Sequence, residues 1–202
     1  DEVVGSGNSS GVVYVFDRVG NDFNEVGILT GTYASDLNDN FGISVATSAD
    51  GNTIVVGSNN DEVVGSGNSS GVVYVFDREY SVGIGTTFTQ VGILTGTYAS
   101  DSSDIFGQSI ACSADGNIIV VGAVGDEISG SNDYGVVYVF NRQGNNFNEV
   151  GILTGTHSLD TGDIFGLSIA TSADGKHIIV GDAFSEIDGN ANQSGVAYVF
   201  DQ

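Results

Sequence analysis

Residues 41–58 read FGISVATSADGNTIVVGS, and this stretch decides the fold. Its period is two. Phe41, Ile43, Val45 and Thr47 fall on one face, with Gly42, Ser44, Ala46 and Ser48 on the other, so the first half reads as a strand. A strand with one bulky and one tiny face suits a place where two sheets approach closely. Asp50-Gly51 is a hairpin signal, and Thr53–Val56 follows as a second strand, apolar on both faces. The pattern contains nothing of helical period.

Outward from here the same text returns. FGQSIACSADGNIIVVGA occupies 106–123 and FGLSIATSADGKHIIVGD occupies 165–182. GVVYVF stands at 11–16, 71–76 and 135–140 and recurs as GVAYVF at 195–200, in steps of 60, 64 and 60 residues. VGILTGT appears at 26–32, 91–97 and 150–156, and residues 1–18 are identical to 61–78. Val12–Phe16 is apolar on both faces and reads as a covered strand. Phe23–Thr30 is more polar and reads as the outermost. Each unit of about sixty residues is therefore expected to be a four-stranded antiparallel meander that cannot bury both of its faces alone. Approximate repeats are 1–60, 61–125, 126–184 and a partial 185–202, within one repeat domain spanning 1–202. Radial stacking of such units gives a β-propeller, and linear stacking a solenoid.

The order FG-x-S-[VI]-A, SADG, IVVG, acidic loop, G-x-VYVF and VGILTGT resembles FG-GAP repeats, whose members include the seven-bladed propeller of integrin α-subunits. The resemblance implies an all-β propeller with the FG strand innermost, and about three blades here. Closed propellers use about four to eight, so the expectation is part of a larger ring, or a ring or array completed by neighbouring chains. Calcium-binding members of the family carry several acids between the FG strand and the next. SADG offers one carboxylate per turn, so that site is expected to be missing.

Composition bounds the function. Among 202 residues there are 4 Lys+Arg against 26 Asp+Glu, a formal net charge of -22, which argues against nucleic acid and anionic membrane partners. No apolar run approaches the roughly 18 residues of a helical span, so no membrane insertion is expected. With no Met, the sequence reads as an internal piece or a mature form, and the single Cys112 allows neither an internal disulfide nor a Cys-based zinc site. The acidic, Lys-poor, Gly/Asn/Ser-rich balance fits an extracellular or surface protein better than a cytosolic enzyme.

Three groups of residues are candidates for sites. Asp36/Asp39, Asp101/Asp104 and Asp160/Asp163 sit three apart before each FG strand, where paired carboxylates could share a calcium ion, or simply bond their own turns. Asp61/Glu62, Asp126/Glu127 and Glu186/Asp188, in the long loops, read as solvated acids. Asn8, Asn68 and Asn192 each open an N-x-S sequon at one recurring position, a glycosylation signal if the source is eukaryotic. The G-x-S-x-G strings at 7–11 and 67–71 precede strands rather than helices and are no nucleophile elbow. His157 and His177 vary in one repeat each without partners, and Arg18, Arg78 and Arg142 read as structural. No catalytic set emerges. The expected role is a non-enzymatic extracellular structural or adhesive repeat module of a surface appendage, filament or adhesin, meeting protein partners by self-association or through neighbouring blades. The rivals are a calcium- or glycan-binding propeller and an accessory propeller of a larger enzyme.

Overall fold

The computed structural model describes residues 10–63, 69–128, 134–157, 162–186 and 194–201. Within them the chain is all β, with thirteen strands: β1 (Val13–Val19), β2 (Asp22–Leu29), β3 (Ser44–Thr47), β4 (Thr53–Ser58), β5 (Val72–Ser81), β6 (Gly85–Leu94), β7 (Phe106–Cys112), β8 (Ile118–Ala123), β9 (Val136–Gln143), β10 (Asn146–Leu153), β11 (Phe165–Thr171), β12 (His177–Asp182) and β13 (Val196–Asp201). They form four antiparallel sheets in the orders β1-β2, β3-β4-β5-β6, β7-β8-β9-β10 and β11-β12-β13. Each is a meander running from the FG strand outward, or part of one. No helix of the described residues is long and apolar enough to cross a membrane.

Successive sheets meet through their FG strands: β3 and β4 touch β7, and β7 and β8 touch β11. The tiny face explains how. A Cβ on Gly57 would stand 2.2 Å from the Gly107 carbonyl oxygen, so only a bare backbone fits. Ser44 donates its hydroxyl to that same carbonyl at 2.6 Å, and Ser109 does likewise to Gly166 at 2.5 Å. The SADG turns are linked directly as well. Ala49 N–H donates to the Ala114 carbonyl and Ala114 N–H to that of Ala173, each at 2.9 Å. Bulk fills the remaining space. Val55, Val73 and Val75 of the second sheet pack with Phe106, Tyr138 and Phe140 of the third, and an equivalent cluster joins the third to Phe165, Ile178 and Val180 of the fourth.

Two departures from simple alternation have physical causes. The FG strand carries an irregularity between Phe106 and Ser109, repeated between Phe165 and Ser168, where Gly107 and Gly166 adopt left-handed φ of 89° and 90°. In the first copy Gly42 does the same at 92°, and the regular strand starts only at Ser44. The third-strand cores are also unequal. Tyr74 and Tyr138 are fully buried, whereas Tyr14 is 44% exposed and Phe16 53%. Apolarity on both faces marks a strand built to be covered; Phe41 packs on Tyr74 and Phe76 and Phe106 on Tyr138 and Phe140, whereas the β1-β2 sheet has no FG strand among the described residues.

Candidate functional site

The loops leading into each FG strand and those joining the second strand to the third meet at one end of each sheet, and acids from both come together there. Asp104 and Asp126 are buried, and the carboxylate oxygens of Asp104, Asp126 and Glu127 lie within 4.8 Å of one another. In the preceding copy Asp39 and Asp61 take the same places and are equally buried. A tyrosine from the third strand anchors each cluster. Tyr138 donates its hydroxyl to Asp126 and accepts the N–H of Tyr98 at 3.2 Å. Tyr74 donates to Asp61 at 2.5 Å and accepts the N–H of Tyr33 at 3.2 Å. One phenol thus ties two loops to a core strand.

Burial dominates the electrostatics. It pushes Asp126 up to about 7, with the charges of Asp104 and Glu127 adding and the Tyr138 hydrogen bond opposing. Asp39 rises to about 6, again through burial first, and Asp61 is raised for the same reason. Tyr74 and Tyr138 are held well above the ordinary phenol range by burial and by the acid beside them.

The residues singled out in the sequence are distributed as follows. Asp36 and Asp101 are exposed and contribute backbone, not carboxylate: Asp36 N–H donates to Asp39 at 2.6 Å and Asp101 N–H to Asp104 at 2.5 Å. Asp163 is buried in the third copy. There Ser185 replaces Asp61 and Asp126 and donates to the His157 carbonyl at 3.0 Å, while Asp182 accepts the Ile164 N–H at 3.1 Å. Asp160 and the sequon residues Asn8, Asn68 and Asn192 lie outside the described residues. The sequence reading took Asp61, Asp126 and their glutamates for solvated acids. The recurrence of Asp-Glu 13 and 12 residues before a buried Tyr was the signal that could have paired them with Asp39 and Asp104.

The SADG turns do not fit the family's calcium loop. Asp50 is spent on its own turn, accepting the Ser48 hydroxyl at 2.6 Å and the Asn52 N–H at 3.0 Å, and Asp115 repeats this with Ser113 and Asn117. These bonds hold Asp50, Asp115 and Asp174 below the usual carboxylate range, the serine hydroxyl contributing most. Of the remaining chemistry, burial raises the Cys112 thiol to about 11, which keeps it protonated.

Repeated four-stranded meanders, joined through their small-faced inner strands, define an arc of β-propeller blades. The FG-GAP repeat family matches residues 28–76 and 88–140, about half of the chain, and the chain belongs to that family. No curated protein matches it in sequence. Among solved structures it is similar to the periplasmic gluconolactonase of Pseudomonas aeruginosa, PpgL, with a TM-score of 0.52 and 18% identity. That likeness covers 87% of this chain and 45% of the gluconolactonase, so the chain spans less than half of that protein's length. At such identity the likeness speaks for the fold alone.

Proposed function

We propose that this propeller module is a non-enzymatic structural or adhesive part of a protein working outside the cell, presenting loops from a stiff blade scaffold to protein or glycan surfaces. The observation that carries this reading is the use made of the buried acids. In both complete sheets the Tyr–Asp pair fastens two loops to one core strand, an arrangement suited to rigid display. The charge of -22 favours neutral glycans or basic protein surfaces as partners over nucleic acid. The periplasmic setting of the similar gluconolactonase is in keeping with a location beyond the cytoplasm.

A second reading has its own support. Asp104, Asp126 and Glu127 offer three oxygens at a spacing a hard divalent cation could bridge, and loop carbonyls would have to supply the rest of calcium's six to eight ligands. One set of measurements separates the readings: retention of chain-coated beads on glycan- and protein-coated surfaces, thermal melting with calcium and with chelator, and a lactone-hydrolysis assay. The expected result is retention, melting unchanged to within about 1 °C by calcium, and no turnover. Calcium-dependent melting abolished by Asp126→Asn would replace this reading with the cation-binding one, and lactone turnover would replace it with an enzymatic one.

A further inference from the structure

One hairpin departs from its counterparts. Four residues separate the arginine after the third strand from the phenylalanine of the outer strand in β1-β2 (19–22) and in β9-β10 (143–146), but nine do so in β5-β6 (79–87). The five extra residues continue the ladder. Tyr80 pairs with Thr86 and Ser81 with Gly85, whereas the other two hairpins end at Val19 with Asp22 and Gln143 with Asn146. The Ile84 N–H donates to the Ser81 carbonyl at 3.1 Å and closes the turn. A hydrogen-bonded ribbon therefore runs on past the level at which the flanking hairpins turn back. Its strand β6 is the outer strand of a complete four-stranded sheet and touches both β2 and β10, so the ribbon stands between two neighbouring sheets.

The chemistry of this hairpin differs as much as its length. The other outer strands carry acids, Asp22 and Glu25 in β2 and Glu149 in β10. From Tyr80 to Ser100 there is no charged residue at all. Gln90 stands in the place of the glutamate and accepts from Thr32 as Glu149 does from Thr97, so the junction is kept and the charge removed. Tyr80, Val82 and Ile84 are 75%, 93% and 77% exposed. The pairing register puts Tyr80 on the face that Thr86 and Phe88 share, with Glu79 on the opposite one. Outer strands of this molecule meet by setting a ring into a glycine gap, as Phe88 does at Gly27. The ribbon offers both parts of such a contact: the Tyr80 ring, and Gly83 and Gly85, over which a Cβ would meet nothing within 4 Å.

We propose that two copies of this chain associate through their β5-β6 hairpins, Tyr80, Val82 and Ile84 of one packing against those of the other about a two-fold axis. Charge selects the occupant. Each copy carries -22 and repels the other over most of its surface. The ribbon is where two copies touch without setting like charges together, and its reach keeps the acidic sheets apart, where salt screens them within about 8 Å. A two-fold contact needs only a self-complementary patch. The ladder and turn already hold the ribbon in shape, so little is lost in ordering it. Three side chains a copy fall short of a standard interface, and the expected dimer is weak, with a Kd of about 10–100 μM. The contact adds to the scaffold reading without resting on it: retention on glycan or protein surfaces is a separate measurement from the mass of the free chain.

The test is sedimentation of the 202-residue chain at concentrations up to about 1 mM, well above that Kd. A monomer–dimer equilibrium is expected, tightened by added salt because screening relieves the repulsion between copies. Replacing residues 79–87 with the Gln-Gly-Asn-Asn of 143–146 should leave a monomer. Two of the three hairpins already close with four residues, so this chimera is expected to fold, and its melting curve checks that. The double change Val82→Ser and Ile84→Ser, neutral in charge, should raise the Kd about tenfold or more. Val19→Ser, on the short hairpin of the first sheet, should leave it unchanged. A parent chain that stays monomeric to the highest concentration would overturn the proposal. So would a dimer that the short-turn chimera leaves intact, or one that Val19→Ser weakens as much as the double change does.

Discussion

At the residue scale, Tyr138 is the side chain on which most depends. Its ring packs edge-on with Phe106 at 5.5 Å between centroids, and its hydroxyl joins the Tyr98 backbone to Asp126. Tyr138→Phe keeps the ring and deletes both bonds, leaving the part-buried Tyr98 N–H and the buried Asp126 carboxyl each short of a partner. The expected cost is about 1–3 kcal/mol, read as a lower Tm. The same change should move Asp126 further up from its value of about 7, because the lost hydrogen bond is the main influence holding it down. Titration of the Asp126 carboxyl by NMR checks this. An unchanged Tm together with an unchanged titration would mean that the phenol merely fills space.

At the element scale, adjacent outer strands interlock by a ring set into a gap. Phe147 of β10 lies against Gly92 of β6, where an added Cβ would stand 2.4 Å from the ring, and Phe88 lies against Gly27 at 2.3 Å. Arg142 stacks over the same Phe147 ring, 5.4 Å from its centroid. Gly151 is the equivalent position in β10, and there a Cβ would meet only Val139, at 3.6 Å. Gly92→Ala is therefore expected to cost about 1–3 kcal/mol by overpacking, and Gly151→Ala to stay within about 0.5 kcal/mol. Equal costs in paired denaturant titrations would refute the interlock. Much at this scale was legible in the sequence: the strands, the Asp-Gly turns and the tiny face of the FG strand follow from period two and turn chemistry, which are local, and the family resemblance implied that the FG strand lies innermost. The pairing of Gly92 with Phe147, 55 residues on, was not, nor was the meeting of Asp104 with Asp126 and Glu127. Both depend on how far one sheet is rotated against the next and on the path of loops over a sheet's end, which leave no periodic trace. The apolarity on both faces that marks β1 as a covered strand is equally silent on whether a cover is present.

At the scale of the whole molecule, the acids divide into two groups with opposite effects on stability. Asp39 and Asp126 titrate at about 6 and about 7 when folded, chiefly because they are buried, against about 4 when unfolded. Between those limits the folded chain holds protons that the unfolded chain has released. Their contribution is therefore fully present below about pH 4 and is lost as pH rises through 6 and 7. Asp50, Asp115 and Asp174, held down by serine hydroxyls, and Asp17, held down by Arg78, act the other way: their contribution is present above the ordinary carboxylate value and is lost as pH falls through their lowered ones. Mutual repulsion within a net charge of -22 adds to the cost at high pH. Stability is expected to peak at about pH 4–5, and Asp126 alone is worth on the order of 3 kcal/mol across the rise to pH 8. With Asp39 included, Tm should fall by about 10 °C or more over that range. Asp126→Asn separates the buried acid from general repulsion. It keeps an acceptor for Tyr138 and changes the net charge by a single unit, so it should remove the Asp126 part of the slope between pH 4 and 7 while leaving the decline below pH 4 in place. A variant whose Tm falls with pH as steeply as the parent's would assign the whole effect to surface charge and deny the buried carboxyl its part.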